Sequence, residues 1–180
     1  MYRKSLDFIQ KEISDAVSSI SEESQDRFLD LLLKKKTIFI YGSGRSGLVG
    51  KFFAVRLVQL GLDVHFVGDM TTPIISKDDL AVLVSNTGET MSAVQTANIA
   101  RRIGCHVICL TSSPTSKLAH ASNDVIFLNV RKNSDTKEYA PLGTIFEDAV
   151  VMFFDSIVPC LMKKLDCTED CMRKRHAIWV

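Results

Sequence analysis

Residues 78–90 read "DDLAVLVSNTGET". Leu80, Ala81, Val82, Leu83 and Val84 form an aliphatic run with no polar alternation, the pattern of a strand covered on both faces. Directly after it, Ser85, Thr87 and Thr90 place three hydroxyls around Gly88, with Asn86 and Glu89 between them. A helical pattern follows. The free N–H groups and positive dipole end of such a helix make an anion site, and a glycine lets the backbone close on a phosphate. Capping the helix would use only one hydroxyl. The stretch therefore predicts a phosphate-holding loop at the carboxyl end of a buried parallel strand, where open α/β sheets bind ligands.

The same texture extends to both sides. Residues 37–41 "TIFIY", 63–67 "DVHFV", 105–110 "CHVICL" and 124–130 "DVIFLNV" are further short apolar runs. Helical patterns at 45–61, 89–103 and 113–121 lie between them, the first two closed by Gly61 and Gly104. Alternating strands and helices predict an α/β fold with a doubly wound, Rossmann-like parallel sheet flanked by helices. Two amphipathic helices precede it. One carries Phe8, Ile9, Ile13, Val17 and Ile20; the other has Ser21 as N-cap and Lys34, Lys35 and Lys36 at its end. A long helix over 142–165 follows, with Leu142, Ile145, Phe146, Ala149, Phe153, Ile157 and Leu161 on one face and a kink at Pro159. The expected organisation is a single domain over 1–180: N-terminal helices 1–36, sheet core 37–130 and C-terminal helices 141–180.

Composition narrows the function. Lys and Arg number 22 against 21 Asp and Glu, a net charge of +1, which offers no electrostatic footprint for nucleic acid. No stretch approaches the roughly 18 apolar residues of a membrane span. The N-terminus meets Asp7 before any apolar run, so no signal peptide is expected. The predicted location is the cytoplasm. Five cysteines inside apolar patterns fit reduced thiols. Cys167 and Cys171, with His176 nearby, lack the spacing and the fourth ligand of a zinc site, and on one helix they would stand too far apart for an easy disulfide. No metal is expected.

A second glycine-rich loop follows the first strand. "GSGRSG" (42–47) matches G-x-G-x-x-G, and Asp69 lies 22 residues beyond Gly47, where a ribose-binding acid would sit. This leaves an NAD-dependent dehydrogenase as an alternative. Against it, Asp69 follows Gly68 and precedes "MTTP", past the expected strand end, and the chain offers a single α/β unit with no place for a second substrate.

Two donor-rich loops after the first and third strands, together with residues 53–73 "FAVRLVQLGLDVHFVGDMTTP", 141–148 "PLGTIFED" and 175–177 "RHA", resemble the sugar isomerase (SIS) domain family. Within it they resemble the 6-phospho-3-hexuloisomerase branch, from about residue 37 onward. In that branch Ser-Gly-Ser-Gly stands where this chain has Ser85-Asn86-Thr87-Gly88. The resemblance implies a five-stranded parallel sheet, a homotetramer, and no metal or nucleotide cofactor. It implies conversion of D-arabino-3-hexulose 6-phosphate to D-fructose 6-phosphate, in formaldehyde handling or pentose supply. Ser46, Ser85, Thr87 and Thr90 would hold the phosphate, with Arg45, Asn86, Gly88 and Glu89 completing the substrate site. A non-catalytic SIS sensor is a second reading. Such sensors usually carry a DNA-binding module, for which the 36 residues before the first strand leave no room.

Shifting a ketone between adjacent carbons passes through an enediolate, which needs a base at carbon and an acid/base at oxygen. Glu147 is the candidate base. From spacing alone, Thr144-x-x-Glu147 is also a complete capping box, so this carboxylate has a purely structural alternative. His176 is the candidate oxygen-side acid/base, carried near an apolar tail of Ile178, Trp179 and Val180 that is expected to dock. Arg45 could neutralise phosphate or oxyanion charge.

Overall fold

The apolar runs become five strands in the computed structural model, which describes residues 1–177. They are β1 (Ile38–Gly42), β2 (Val64–Phe66), β3 (Leu80–Val84), β4 (His106–Thr111) and β5 (Asp124–Phe127). All neighbours pair in parallel, in the order β2-β1-β3-β4-β5. The chain moves one way from β1 to β2 and the other way from β3 onward. The crevice between the carboxyl ends of β1 and β3 is thus the topological switch point. Ile38 pairs with Leu80 and Gly42 with Val84, so both strands end level and the two glycine-containing loops emerge side by side.

Helices cover both faces, as unbroken apolar strands require. On one side lie α1 (Tyr2–Ser18), α2 (Glu22–Lys34), α3 (Arg45–Leu60) and the long α7 (Thr144–Lys164). On the other, α4 (Met91–Ile103) and α5 (Lys117–His120) cover a smaller core. Two short helices, α6 (Ser134–Tyr139) and α8 (Glu169–Arg173), complete the chain, with a single 3-10 turn at Pro141–Gly143.

Packing of α3 against α7 sets the site. Phe53 and Phe154 are fully buried and stack with ring centroids 4.0 Å apart. Each lies seven residues, two helical turns on the same face, beyond Ser46 and Glu147 respectively. Ser46 in turn touches Glu147. The two helices therefore run in register from a common end, clamped by aromatics and opening on the switch point.

Several elements differ from the sequence-based expectations. α4 begins at Met91 rather than 89, because Thr90 is extended and serves as N-cap. Only Lys117–His120 of 113–121 is helical, after Ser116 caps the turn by accepting from the Ala119 N–H. β5 ends at Phe127, three residues early. Leu142 is not on the apolar face of α7: it is almost fully exposed with φ +56°, and the helix starts at Thr144 and runs on through Pro159. α6 was not legible because none of its residues is buried, so it carries no apolar period.

Cys167 and Cys171 are corrected outright. They meet as a disulfide with Cα atoms 5.6 Å apart, inside the bonding range. The expectation assumed one helix, whereas Thr168 is extended and caps α8, so the pair spans a helix start. Among the described residues no group of three His, Cys, Asp or Glu side chains is placed to hold a metal, and no helix is long and apolar enough to cross a membrane.

Candidate functional site

Loop one delivers Arg45 and Ser46 on the first turn of α3, whose N-cap is Gly44. Both reach Glu147 on the first turn of α7. Arg45 Nε donates to Glu147 Oε2 at 2.7 Å, and Ser46 Oγ donates to Oε1 at 3.3 Å. Arg45 Nη2 also lies 3.7 Å from Asp148. The Glu147 side chain is only 8% exposed, so its charge depends on these donors and on the helix N-terminus beneath it. The hydrogen bond with Glu147, reinforced by its charge, raises the Arg45 guanidinium above its ordinary value.

The capping-box alternative for Glu147 is overturned. The N-cap of α7 is Gly143, in the left-handed region with φ +90°, and no side chain caps the helix. Thr144 is already helical, and its hydroxyl donates back to the Pro141 carbonyl at 2.7 Å. The carboxylate therefore faces loop one rather than its own backbone.

Loop two begins with Ser85, which is buried. Its hydroxyl accepts from the Gly88 N–H at 3.2 Å and stands 3.4 Å from Thr90 Oγ1. Gly88 turns with φ +64°, and a Cβ there would fall 2.0 Å from Ser116 Oγ, so only glycine fits. Thr87 Oγ1 accepts from the Glu89 N–H at 3.3 Å. Thr90 makes no side-chain cap, and the first intrahelical bond of α4 is from Val94 N–H to Thr90 O. The amides of residues 91–93 are thus presented at the helix end, beside the Ser85 and Thr90 hydroxyls.

Glu89 turns the other way. Its carboxylate pairs with Lys117 Nζ at 2.9 Å and accepts from the Lys117 N–H at 3.1 Å, which holds it below its ordinary pKa. It fastens loop two to α5 rather than adding a negative charge to the anion site. Asp69 pairs with Lys51 at 3.7 Å in the turn after β2.

Asn86 joins the two halves. Its backbone carbonyl accepts from Ser112 N–H and Thr111 Oγ1, each at 3.0 Å. Its side-chain amide lies against Gly143: a Cβ built on that glycine would stand 2.8 Å from Asn86 Nδ2 and 3.6 and 3.7 Å from the Glu147 oxygens. A cavity of about 370 Å³ opens beside Asn86 and Gly143, walled by Lys132, Asn133, Thr136 and Lys137, a size suited to a small metabolite.

His176 is not part of this cluster within one chain. It is exposed and lines a different cavity of about 410 Å³ with Val158 and Met162, eleven or more residues along α7 from Glu147. That spacing corresponds to roughly 16 Å of helix. Arg175, just before it, packs on Gly61 and donates to Cys171 Sγ at 2.8 Å. The tail residues Ile178, Trp179 and Val180, expected to dock, lie outside the described residues.

Sequence reasoning missed the supporting residues Thr111, Ser112, Gly143 and Asp148. The hydroxyl pair Thr111–Ser112 at the end of β4 repeats the small-donor signal of loop two and could have been read the same way. Gly143 gave a weaker signal, as a glycine inside the helix expected over 142–165, close enough to its start to mark a boundary.

Two strand-end loops rich in small donors, opening at the switch point of a five-stranded parallel sheet, define a doubly wound α/β domain with the donor set of an anion-binding crevice. The SIS domain pattern matches residues 31–154, and the chain belongs to this family. It is 38% identical over 151 residues to the 3-hexulose-6-phosphate isomerase of Methanocaldococcus jannaschii, spanning 84% of this chain and 81% of the relative. It is 33% identical over 173 residues to the 3-hexulose-6-phosphate isomerase of Bacillus subtilis, covering 94% of each. Its fold superposes with a TM-score of 0.89 on the crystal structure of a Methanococcus jannaschii protein from which a 3-hexulose-6-phosphate isomerase function was inferred. The two are 33% identical, with 98% of this chain and 99% of the other covered. The expected family and sheet are thus borne out.

Proposed function

We propose that this chain is an isomerase interconverting D-arabino-3-hexulose 6-phosphate and D-fructose 6-phosphate through an enediolate. The observation that carries the proposal is the buried Glu147 carboxylate, held by Arg45 and Ser46 of loop one and facing, across Gly143, the amide of Asn86 in loop two. In this reading Ser85, Thr87, Thr90 and the first amides of α4 bind the phosphate, with Ser46 at the facing loop. The phosphate is remote from the reacting carbons, so its binding energy fixes orientation. Glu147 removes the proton from C2 of the hexulose, the C2–C3 enediolate forms, and the same carboxylate returns a proton to C3. A carboxylate suits this work because it sits on one face of the planar intermediate and can serve both carbons. Arg45 offsets the charge that the substrate brings to the carboxylate.

Protons must also move between the two oxygens, and His176 is our candidate for that step, contributed by a neighbouring copy. Leu48 and Phe52, beside Arg45, are exposed apolar residues, as are Val55 further along α3 and Met152 on α7. A homotetramer would cover this strip and could bring His176 of one copy toward Glu147 of another. We place the enzyme in the cytoplasm, in formaldehyde handling or pentose supply.

The test is turnover without added cofactor. Purified protein incubated with fructose 6-phosphate in heavy water should place deuterium at C3 and form the 3-hexulose phosphate. Saturable binding with no exchange would instead support a sensor, and thermal stabilisation by NAD alone would support a dehydrogenase.

A further inference from the structure

We propose that Asn86 is a catalytic residue of this isomerase, an oxyanion donor whose side-chain N–H₂ binds the enediolate oxygen while Glu147 works at carbon; this rests on the isomerase reading above. The argument begins with the hydrogen bonds around the residue. Ser112 Oγ lies within reach of two acceptors, Asn86 O at 2.9 Å and Asn86 Oδ1 at 2.6 Å, but a hydroxyl has one proton to give. The backbone carbonyl is already served by Ser112 N–H and Thr111 Oγ1. The Ser112 proton therefore goes to Oδ1, which fixes the amide so that Nδ2 points away from β4. No acceptor for Nδ2 occurs among the described residues.

What Nδ2 packs against is Gly143. A Cβ added to that glycine would fall 2.8 Å from Nδ2, 3.6 Å from Glu147 Oε2 and 3.7 Å from Oε1, so the amide and the carboxylate both border residue 143. The absence of a side chain at residue 143 is what lets the Asn86 amide pack this closely, at the rim of the 370 Å³ cavity that Asn86 and Gly143 help to line. A free donor and the candidate base thus both stand beside Gly143, close neighbours at the edge of that cavity. Enolisation needs this pairing, because negative charge grows on oxygen as the base takes the proton from carbon. The donor is preorganised: Asn86 is tied to the end of β4 through both its backbone and its side chain, so it needs no reordering as charge develops.

Steady-state kinetics with fructose 6-phosphate, C3 exchange in heavy water and inhibition by inorganic phosphate test this on the wild-type, Asn86→Ala and Asn86→Asp proteins. Asp keeps the size and the oxygen that accepts from Ser112 but has no N–H to give. Both variants should lose about 100-fold or more in kcat and in C3 exchange. KM and the phosphate inhibition constant should stay within about threefold for Asn86→Ala, the mark of an interaction made in the transition state. If Asn86→Ala does not fold, the isosteric Asn86→Asp decides. A kcat within tenfold of wild type in Asn86→Asp overturns the proposal. So does an Asn86→Ala enzyme that keeps kcat and loses phosphate affinity, since Asn86 would then only shape the loop. If the wild-type protein itself neither exchanges nor isomerises, the isomerase reading falls, and this proposal with it.

Discussion

Replacing Glu147 by Gln separates the chemical role of this residue from its structural one. The amide keeps the size of the side chain; its one oxygen can still accept from Arg45 Nε, and its N–H₂ can donate to the Ser46 hydroxyl, the two contacts now at 2.7 and 3.3 Å. What disappears is the negative charge. The structural cost is set by the partner left behind. The Arg45 side chain is 59% exposed, so water solvates the guanidinium once its counter-charge is gone. A pair with one hydrated member contributes up to about 1 kcal/mol. For a chain of this length that moves Tm by about 2–4 °C. The catalytic cost is far larger. Losing a positioned general base costs about 10²–10⁴ in rate, equivalent to roughly 3–5 kcal/mol at about 1.4 kcal/mol per decade. The assay is deuterium incorporation at C3 of fructose 6-phosphate followed by NMR, beside a thermal melt of the same preparation. Exchange should fall at least 100-fold while KM changes little, because the proposed phosphate site is built from other residues. Exchange within tenfold of wild type, at an unchanged Tm, would refute Glu147 as the base.

Two further predictions address the framework. Gly88→Ala places a methyl 2.0 Å from Ser116 Oγ at φ +64°. It should cost about 1–2 kcal/mol from the backbone conformation alone, with further loss from the clash, and should weaken inhibition by inorganic phosphate. An alanine variant with wild-type Tm and phosphate affinity would show that loop two is not built as described. The buried Cys105 and Cys109 thiols are pushed up to about 11 by desolvation, whereas Cys160 is exposed. Because the thiolate is the reactive form, alkylation of the native protein at pH 8 should modify Cys160 and spare Cys105 and Cys109 until the chain is unfolded. Peptide mapping that finds Cys109 modified as fast as Cys160 would contradict the buried placement.

Local patterns carried the architecture. Buried parallel strands are apolar on both faces, so "LAVLV" and "CHVICL" announced themselves, as did helices closed by Gly61 and Gly104 in left-handed conformation. The donor-rich loops were legible for the same reason: Ser85, Thr87, Gly88 and Thr90 are neighbours in sequence as well as in space. Reading stopped where a residue's partner was distant. Thr144-x-x-Glu147 is a capping box on paper, and only the structure shows Thr144 bonded to Pro141 and Glu147 bonded to Arg45, 102 residues away. Cys167 and Cys171 failed for a related reason, since their spacing implied a helix that the extended Thr168 interrupts.

The sequence by itself determined the element order, the parallel sheet, the two loops and the family, because these follow from periodicity and from short motifs whose physics is local. Tertiary structure alone decided which way Glu147 and Glu89 turn, that Asn86 and Gly143 share a wall, and that His176 lies far along α7 from Glu147 within one chain. Those are matters of side-chain contact between elements brought together by the packing of Phe53 on Phe154 and the register of β1 on β3. Free energy of that kind depends on distances across the core, which no run of neighbouring residues encodes.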